Sequence, residues 1–127
     1  MEVKFLSFGI KYGVPREVDT FLDVRAIPNP YWISELKDLT GEDKKAIDYM
    51  MSFPITMETI NSIISYLDKV FAIVEKEKDK YVVGIACTGG QHRSTFVANY
   101  LRDYYSDKFK TSSYHRDTPK LNKWKAK

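Results

Sequence analysis

The feature that most constrains the fold is a strand pattern in residues 81–86 that leads through a glycine turn into an amphipathic helix. Residues 81–86 are mainly apolar and β-branched, which is typical of a buried central strand. Residues 87–92 contain a glycine pair. Residues 93–105 have apolar side chains at helical spacing: Phe96, Val97, Tyr100, Leu101 and Tyr104. A strand followed at once by a helix is the building unit of parallel α/β sheets, so this segment predicts that fold class.

The rest of the chain repeats this alternation. Short apolar runs predict strands at residues 3–8, 20–24 and 109–114, and periodic patterns predict helices at residues 43–51 and 56–78. The apolar stripe of the longer helix is predicted to be core: Ile60, Ile63, Ile64, Leu67, Phe71 and Val74. We therefore expect a single-domain, layered α/β fold with a mainly parallel sheet. We expect this domain to span residues 1–117 and a basic tail to span residues 118–127.

One long connection, residues 28–41, has no regular pattern. Pro28 and Pro30 lack amide hydrogens and bias their predecessors towards extended geometry. Connections of this length are commonly functional or disordered, and the large aromatic residues Tyr31 and Trp32 argue against disorder.

The composition excludes several classes of protein. At 127 residues the chain suits one domain that folds without disulfides or a structural metal. The single cysteine, Cys87, excludes an internal disulfide and a multi-cysteine zinc site. No apolar run approaches the ~20 residues of a membrane span, and residues 1–8 do not have the pattern of a secretory signal. We expect a cytoplasmic protein with no membrane association, no metal and no cofactor.

The positive charge is concentrated at one end of the chain. Residues 108–127 hold seven positive residues against one negative, a net +6, whereas the remainder carries −3. A basic segment of this kind suits phosphate-rich partners such as nucleic acids. The alternative is a solvated terminus that only aids solubility.

The glycine turn has the composition of a phosphate site. A turn at the carboxyl end of a parallel strand can direct several backbone amides at one point, and the dipole of the following helix favours an anion there. Arg93 in the first helical turn can grip two phosphate oxygens. The candidate phosphate-binding residues are Thr88, Gly89, Gly90, His92, Arg93 and Ser94. The alternative is that the glycines only permit a tight turn.

The same segment has the spacing Cys-x5-Arg-Ser, which resembles the signature loop of protein tyrosine phosphatases. The resemblance implies Cys87 as a thiolate nucleophile and Arg93 as the phosphoryl-binding group. Two features depart from the pattern: Ala86 stands where a histidine is usual, and no aspartate with a supporting motif precedes the loop. Alternatively, Cys87 is a small buried residue at a strand end.

Several short motifs, in order, resemble the C-terminal domain of the bacterial RNase adapter proteins of the RapZ family. They span nearly the whole chain: Ser7-Phe8-Gly9-Ile10-Lys11-Tyr12-Gly13-Val14-Pro15, Asp23-Val24-Arg25, Pro28-Asn29-Pro30-Tyr31-Trp32, Leu39-Thr40-Gly41, Cys87-Thr88-Gly89-Gly90-Gln91-His92-Arg93-Ser94 and His115-Arg116-Asp117. Family members have an N-terminal P-loop domain, but no Gly-x4-Gly-Lys-Ser/Thr motif occurs here. The resemblance therefore implies a free-standing version without nucleotide hydrolysis.

The resemblance also implies a fold and a function. The family domain resembles a phosphofructokinase subdomain, binds a small regulatory RNA and glucosamine-6-phosphate, presents the RNA to an endoribonuclease and self-associates. The implied sugar-phosphate pocket comprises Thr88, Gly89, Gly90, His92 and Arg93, with Arg25 and Asn29 from a facing loop. Tyr31 stands where a family member has histidine.

RNA binding is expected from the basic tail. Arg116, Lys120, Lys123 and Lys125 can contact backbone phosphates, helped by Lys11 and Arg16, and Trp124 or Tyr114 can stack on an unpaired base. Trp124 can equally anchor the tail on the domain.

Three functional hypotheses follow. The first is a regulatory RNA-binding adapter with a sugar-phosphate pocket, a ribonuclease partner and a homo-oligomeric state. The second is a cysteine-dependent phosphatase that uses Cys87 and Arg93. The third is a sugar-phosphate sensor with protein partners only.

Overall fold

A computed structural model describes residues 1–121 and 123–126 of the chain. It contains five strands: β1 (Glu2–Gly9), β2 (Thr20–Asp23), β3 (Lys80–Cys87), β4 (Lys110–His115) and β5 (Lys125–Ala126). Three α-helices, α1 (Lys44–Met51), α2 (Pro54–Val74) and α3 (Arg93–Tyr104), and three short 3₁₀ turns, at Ile10–Tyr12, Pro30–Trp32 and Pro119–Leu121, connect them. No described helix is both long and apolar enough to cross a membrane.

The strands form one sheet in the order β2-β3-β1-β4-β5. The first four run parallel, and β5 pairs antiparallel with β4. The prediction of a single-domain α/β fold with a mainly parallel sheet is confirmed. β5 lies within the segment predicted to be a basic tail, whose last residue, Lys127, lies outside the described residues.

The hydrophobic core lies between one face of the sheet and the helices. Val3, Phe5, Val83 and Ile85 alternate along β1 and β3 and so point to the same face. They pack against the buried stripe of α2, of which Ile60, Ile63, Ile64, Leu67 and Phe71 were predicted to be core, and against Val97 and Leu101 of α3. This stripe confirms the helical periodicity.

The boundaries of α2 differ from the prediction at both ends. The helix begins at Pro54 because proline is accommodated in the first helical turn, where its missing amide hydrogen has no partner to lose. It ends at Val74 rather than at residue 78, and the charged residues that follow form hydrogen-bonded turns.

The opposite face of the sheet has no α-helix over it within the described part of the chain. Leu6 and Phe8 of β1 point to this face and are buried; the Phe8 ring contacts Phe21 of β2 and lies under the Arg116 guanidinium. Gly84 of β3 permits this close packing, because a Cβ atom there would lie 2.8 Å from the side chain of Val18. We call this side of the molecule the open face.

Candidate functional site

A cleft of about 490 Å³ lies at the carboxyl edge of the parallel strands. Each of the four parallel strands is followed by a segment that contributes to its wall, as expected for ligand sites in α/β sheets. The twelve lining residues are Lys11 and Tyr12 after β1, Asn29, Tyr31 and Trp32 after β2, Cys87, Thr88, Gly89, Gln91, His92 and Arg93 after β3, and Asp117 after β4.

The turn after β3 is packed closely against β1. Gly90 has φ +77°, and a Cβ atom there would lie 2.6 Å from the Gly9 nitrogen. Its carbonyl accepts hydrogen bonds from the hydroxyls of Thr95 and Thr118, at 3.1 and 2.9 Å. A Cβ atom on Gly89 would meet only the side chain of Lys11, at 3.9 Å, so its outer side is open. The turn is therefore held rigidly beneath the cleft while Gly89 leaves room for a ligand to approach.

Arg93 carries a buried positive charge without a carboxylate partner among the described residues. Its residue exposure is 7%, and its Nη1 atom donates to the carbonyl oxygens of Arg25 and Ile27 at 3.0 and 3.2 Å. Nη2 lies 3.5 Å from the Thr88 hydroxyl, and Nε is buried without a hydrogen-bond partner. A buried cation of this kind is costly unless an anion neutralises it. The cleft is therefore suited to an anionic ligand.

The sulfur of Cys87 lies at the start of α3. The backbone amides of Gly90 and Ser94 donate to Sγ at 3.3 and 3.5 Å, and the thiol donates to the Ser94 hydroxyl at 3.1 Å. The residue is 3% exposed and lines the cleft. Cys87 is thus a buried residue at the end of β3 whose sulfur accepts hydrogen bonds from two backbone amides, those of Gly90 in the glycine turn and Ser94 in α3.

Gln91 and His92 hold the loop that forms the far wall. The Gln91 side-chain amide donates to the carbonyls of Lys37 and Leu39 at 2.8 and 2.7 Å, and His92 Nε2 lies 3.0 Å from the carbonyl of Leu36. Burial lowers the pKa of His92. The neutral imidazole, with its proton on Nε2, therefore donates to this carbonyl.

The structure separates the predicted pocket residues into two groups. Thr88, Gly89, His92, Arg93 and Asn29 line the cleft. The others do not line it. Ser94 is fully buried beneath Cys87, Gly90 packs against β1, and the Arg25 side chain is exposed in an ion pair with Asp23 at 2.8 Å.

The Asp23–Arg25 ion pair lies outside the lining of the cleft. The hydrogen bond from Arg25 is the main reason that the pKa of Asp23 is lowered. It is the carbonyl of Arg25, rather than its guanidinium, that contacts Arg93.

Six cleft residues were not among the site residues predicted from the sequence: Lys11, Tyr12, Tyr31, Trp32, Gln91 and Asp117. Asp117 accepts from the Gly9 amide at 2.7 Å and pairs with Arg116 at 2.9 Å. Lys11, Tyr12 and Asp117 directly follow the ends of β1 and β4. Their position after strand ends was a signal in the sequence, but only the order of the strands in the sheet shows that these ends meet at the cleft.

The predicted RNA-binding residues occupy different environments. Trp124 packs on Tyr114, with ring centroids 5.2 Å apart, and Lys4 lies over its ring. Lys125 pairs with Glu42 at 3.2 Å, and Arg116 is engaged by Asp117 and the Gly13 carbonyl. Lys120 and Lys123 are exposed. Trp124 thus anchors the tail on the domain and remains 44% exposed.

The described residues contain no cluster of histidine, cysteine and acidic side chains that could hold a metal ion.

Comparison with known proteins gives one family. The sequence model of the RapZ C-terminal domain matches residues 1–119. A "Nucleotide-binding protein" of Alkaliphilus oremlandii is 41% identical over 120 residues, which cover 91% of this chain and 41% of that protein. The "Nucleotide-binding protein YvcJ" of Bacillus subtilis is 39% identical over 122 residues, which cover 95% of this chain and 41% of that protein. The chain thus spans about two fifths of the length of these relatives.

Proposed function

Because the chain belongs to the RapZ C-terminal domain family, we propose that it is a regulatory module whose cleft binds a sugar phosphate and whose open face binds RNA. The observation that carries the ligand site is the buried guanidinium of Arg93 beside the glycine turn, whose Nε has no hydrogen-bond partner and which forms no ion pair with a described carboxylate. A phosphate would neutralise this charge. It would also take up hydrogen-bond donors from the turn and from the Thr88 hydroxyl.

The remainder of the cleft suits a small polar ligand. Its volume of about 490 Å³ lies within the roughly 300–1,000 Å³ typical of small-molecule sites. Tyr31 and Trp32 pack edge to face at 5.3 Å, and Trp32 is 78% exposed. These rings offer apolar faces to the C–H groups of a sugar, while Asn29 supplies an amide for hydroxyl groups.

A thermal-shift titration tests the ligand site. Inorganic phosphate, glucosamine-6-phosphate, glucose-6-phosphate and a nucleoside monophosphate are titrated against the wild type, Arg93→Ala and Thr88→Val. A ligand that binds only the folded state stabilises it by ~2.7 kcal/mol at a hundred times its dissociation constant. We expect a sugar-phosphate shift that is lost in Arg93→Ala and weakened in Thr88→Val.

The control is Arg16→Ala, which removes an exposed arginine outside the cleft and should leave the shift unchanged. A flat response of the wild type to every ligand would refute the sugar-phosphate site. So would an undiminished shift in both cleft variants.

The proposed RNA surface combines positive charge with aromatic rings. By strand alternation Lys4, Lys110 and Tyr114 lie on the open face, where Trp124 covers Tyr114. Lys110, Lys120 and Lys123 are exposed, with no ion pair to another described residue. Ammonium groups beside partly exposed rings suit the phosphates and bases of a single strand.

An RNA-binding assay at several salt concentrations tests this surface. We expect the triple variant Lys110→Ala, Lys120→Ala, Lys123→Ala to weaken binding of a labelled single-stranded RNA and to flatten its logarithmic salt dependence by about 2. The matched control removes the same charge from the helical side, with Lys45→Ala, Lys69→Ala and Lys76→Ala. Absent or salt-insensitive binding would instead favour a sensor with protein partners only.

A further inference from the structure

We propose that the cleft holds the phosphorylated end of a single-stranded RNA. This inference rests on the proposed phosphate and RNA sites and joins them. The terminal phosphate lies on the glycine turn, the terminal base stacks on aromatic rings of the cleft, and the following nucleotides lie on the open face. The chemistry recognised is a nucleotide whose phosphate carries a single ester bond, which the end of a strand shares with a free nucleotide.

The first support is the charge of the cleft lining. Lys11 and Arg93 both line the cleft, and neither forms an ion pair with another described residue. The Cε atom of Lys11 lies 3.9 Å from the position of a Cβ atom on Gly89, so this lysine lies along the open side of the turn. Asp117 is the one carboxylate among the described lining residues, and Arg116 pairs with it at 2.9 Å. A terminal phosphate carries about −1.5 to −2 charges at pH 7 and a phosphate within a strand about −1, so the terminal group matches two cations better.

The second support is the depth of the phosphate position. Cys87 and Arg93, which lie beside the glycine turn, are 3% and 7% exposed, and segments that follow all four parallel strands form the walls of the cleft. A phosphate within a strand needs an exit for the chain on both sides. A terminal phosphate needs one exit, towards solvent, so this enclosed position suits the end of a strand.

The third support, which does not depend on Arg93, is a group of aromatic rings. Tyr12, Tyr31 and Trp32 line the cleft, and Tyr12 and Trp32 are 60% and 78% exposed. Trp32 contacts Tyr31 edge to face and keeps most of its surface free. Exposed rings of this kind form a platform on which an unpaired base stacks. A planar base covers a ring face, whereas a saturated sugar touches it only through C–H groups, so the platform suits a nucleotide.

The fourth support is the continuity between the cleft and the open face. Arg116, next to Asp117 of the cleft lining, has its guanidinium over the Phe8 ring on the open face, 5.4 Å from the ring centroid. By strand alternation Tyr114 and Lys110 lie on the same face, further back along β4. Lys110 and Arg116 are six residues apart, or ~20 Å in an extended strand. A row of cations and rings along β4 therefore ends at the cleft.

Binding of three RNA strands of one sequence, each about ten nucleotides long and internally labelled, is the test. One strand has a 5′-phosphate, one has a 3′-phosphate, and one has hydroxyl groups at both ends. Fluorescence anisotropy gives the dissociation constants at a fixed salt concentration. We expect a phosphorylated strand to bind about tenfold more tightly than the hydroxyl strand.

Two variants locate the bound end. Lys11→Ala should abolish the advantage of the phosphorylated strand, and Trp32→Ala should weaken binding of that strand about tenfold. Both residues are exposed, so the variants should unfold at the wild-type temperature in the absence of ligand. The matched controls are Lys45→Ala and Tyr66→Ala, which remove an exposed lysine and an exposed tyrosine outside the cleft and should change neither measurement.

The outcomes separate this inference from the proposed function. Equal binding of all three strands overturns the inference, and a sugar-phosphate thermal shift in the same protein leaves the ligand site standing. An advantage that persists in both cleft variants also overturns it. Adenosine monophosphate that binds as tightly as the phosphorylated strand overturns it in favour of a free nucleotide. Absence of binding by sugar phosphates and phosphorylated RNA refutes the ligand site and the inference together.

Discussion

At the scale of single residues, the glycine turn after β3 depends on the absence of a side chain at Gly90. Gly90 combines φ +77° with a position where a Cβ atom would lie 2.6 Å from the Gly9 nitrogen and 2.9 Å from the Phe8 carbonyl carbon. The backbone at the end of β1 would have to move to admit a side chain. Gly90 is therefore required by packing as well as by backbone conformation, whereas the Cβ position of Gly89 is open.

Alanine substitution separates these two requirements. Gly13 has φ +91° and ψ 153° but open space around its Cβ position, so Gly13→Ala should cost only the conformational term of about 1–3 kcal/mol. Gly90→Ala adds a clash with backbone and should lower the free energy of unfolding by about 2–4 kcal/mol. Urea denaturation of the two variants checks this. Equal losses would show that the turn relaxes freely.

Arg93 connects two distant loops and also carries the proposed ligand site. Its hydrogen bonds to the carbonyls of Arg25 and Ile27 tie the loop after β2 to the helix after β3. The sequence indicated that this arginine faces a phosphate, but it did not indicate that two backbone carbonyls position it. Those partners are more than sixty residues away along the chain.

At the scale of elements, α2 stabilises the fold through an aromatic cluster. Phe71 is fully buried and lies edge to face against Tyr81, Tyr105 and Phe109, at centroid distances of 6.1, 5.1 and 5.2 Å. It thus connects α2 to β3 and to the segment between α3 and β4. These contacts were not predictable in detail, although the helical stripe placed Phe71 in the core.

Shortening a buried side chain and an exposed side chain of α2 should change the stability by very different amounts. Phe71→Ala should lower the free energy of unfolding by about 3–5 kcal/mol, since it removes a buried ring and leaves a cavity. Ile73→Ala, two residues further on an exposed side of the same helix, should change it by less than about 0.5 kcal/mol. The denaturant concentrations at the unfolding midpoints of the two variants, compared at a constant m value, provide the measurement. A large loss of stability in Ile73→Ala would contradict this prediction, because it would mean that Ile73 is not exposed in solution.

At the scale of the whole molecule, a buried polar network links distant parts of the chain. His115 of β4 lies 2.6 Å from the Ser7 hydroxyl at Nδ1 and 2.9 Å from Asn99 Oδ1 at Nε2. Asn99 donates to Glu42, which also pairs with Lys125 of β5. This network of hydrogen bonds and an ion pair therefore connects β5 to the loop before α1, to α3 and to β1.

This network makes stability depend on pH. Burial is the main cause that lowers the pKa of His115 from 6.5 to about 4; Lys125 and Arg102 lower it further, and Glu42 opposes them. Between these two values the unfolded chain binds a proton that the folded chain does not, so stability falls as the pH drops from about 6.5 to about 4. The loss is on the order of 3 kcal/mol.

Unfolding curves at pH 7, 6, 5 and 4 measure this slope, and His115→Gln serves as the comparison. The variant should be less stable at pH 7 but should lose less stability on acidification. His92, whose pKa is also lowered by burial, contributes to the remaining slope. Identical pH profiles for the two proteins would contradict the assignment.

The amino-acid sequence by itself determined the identity of the main elements and the position of the glycine turn after β3. Helical and strand periodicities are local properties, so α2, α3, β1 and β3 were predictable within a few residues of their ends. The turn was predictable because its glycines, Thr88 and Arg93 are adjacent in the chain.

Only the tertiary structure decided which residues share the cleft and how the tail lies. Asp117 and Lys11 meet the turn because the strand order places β1 between β3 and β4, so the carboxyl ends of all three strands lie side by side. Within the segment predicted from charge as a tail, Lys125 pairs with Ser113 of β4 and forms an ion pair with Glu42, while Trp124 packs on Tyr114. Such long-range pairings depend on the packing of the whole sheet, and no local pattern encodes them.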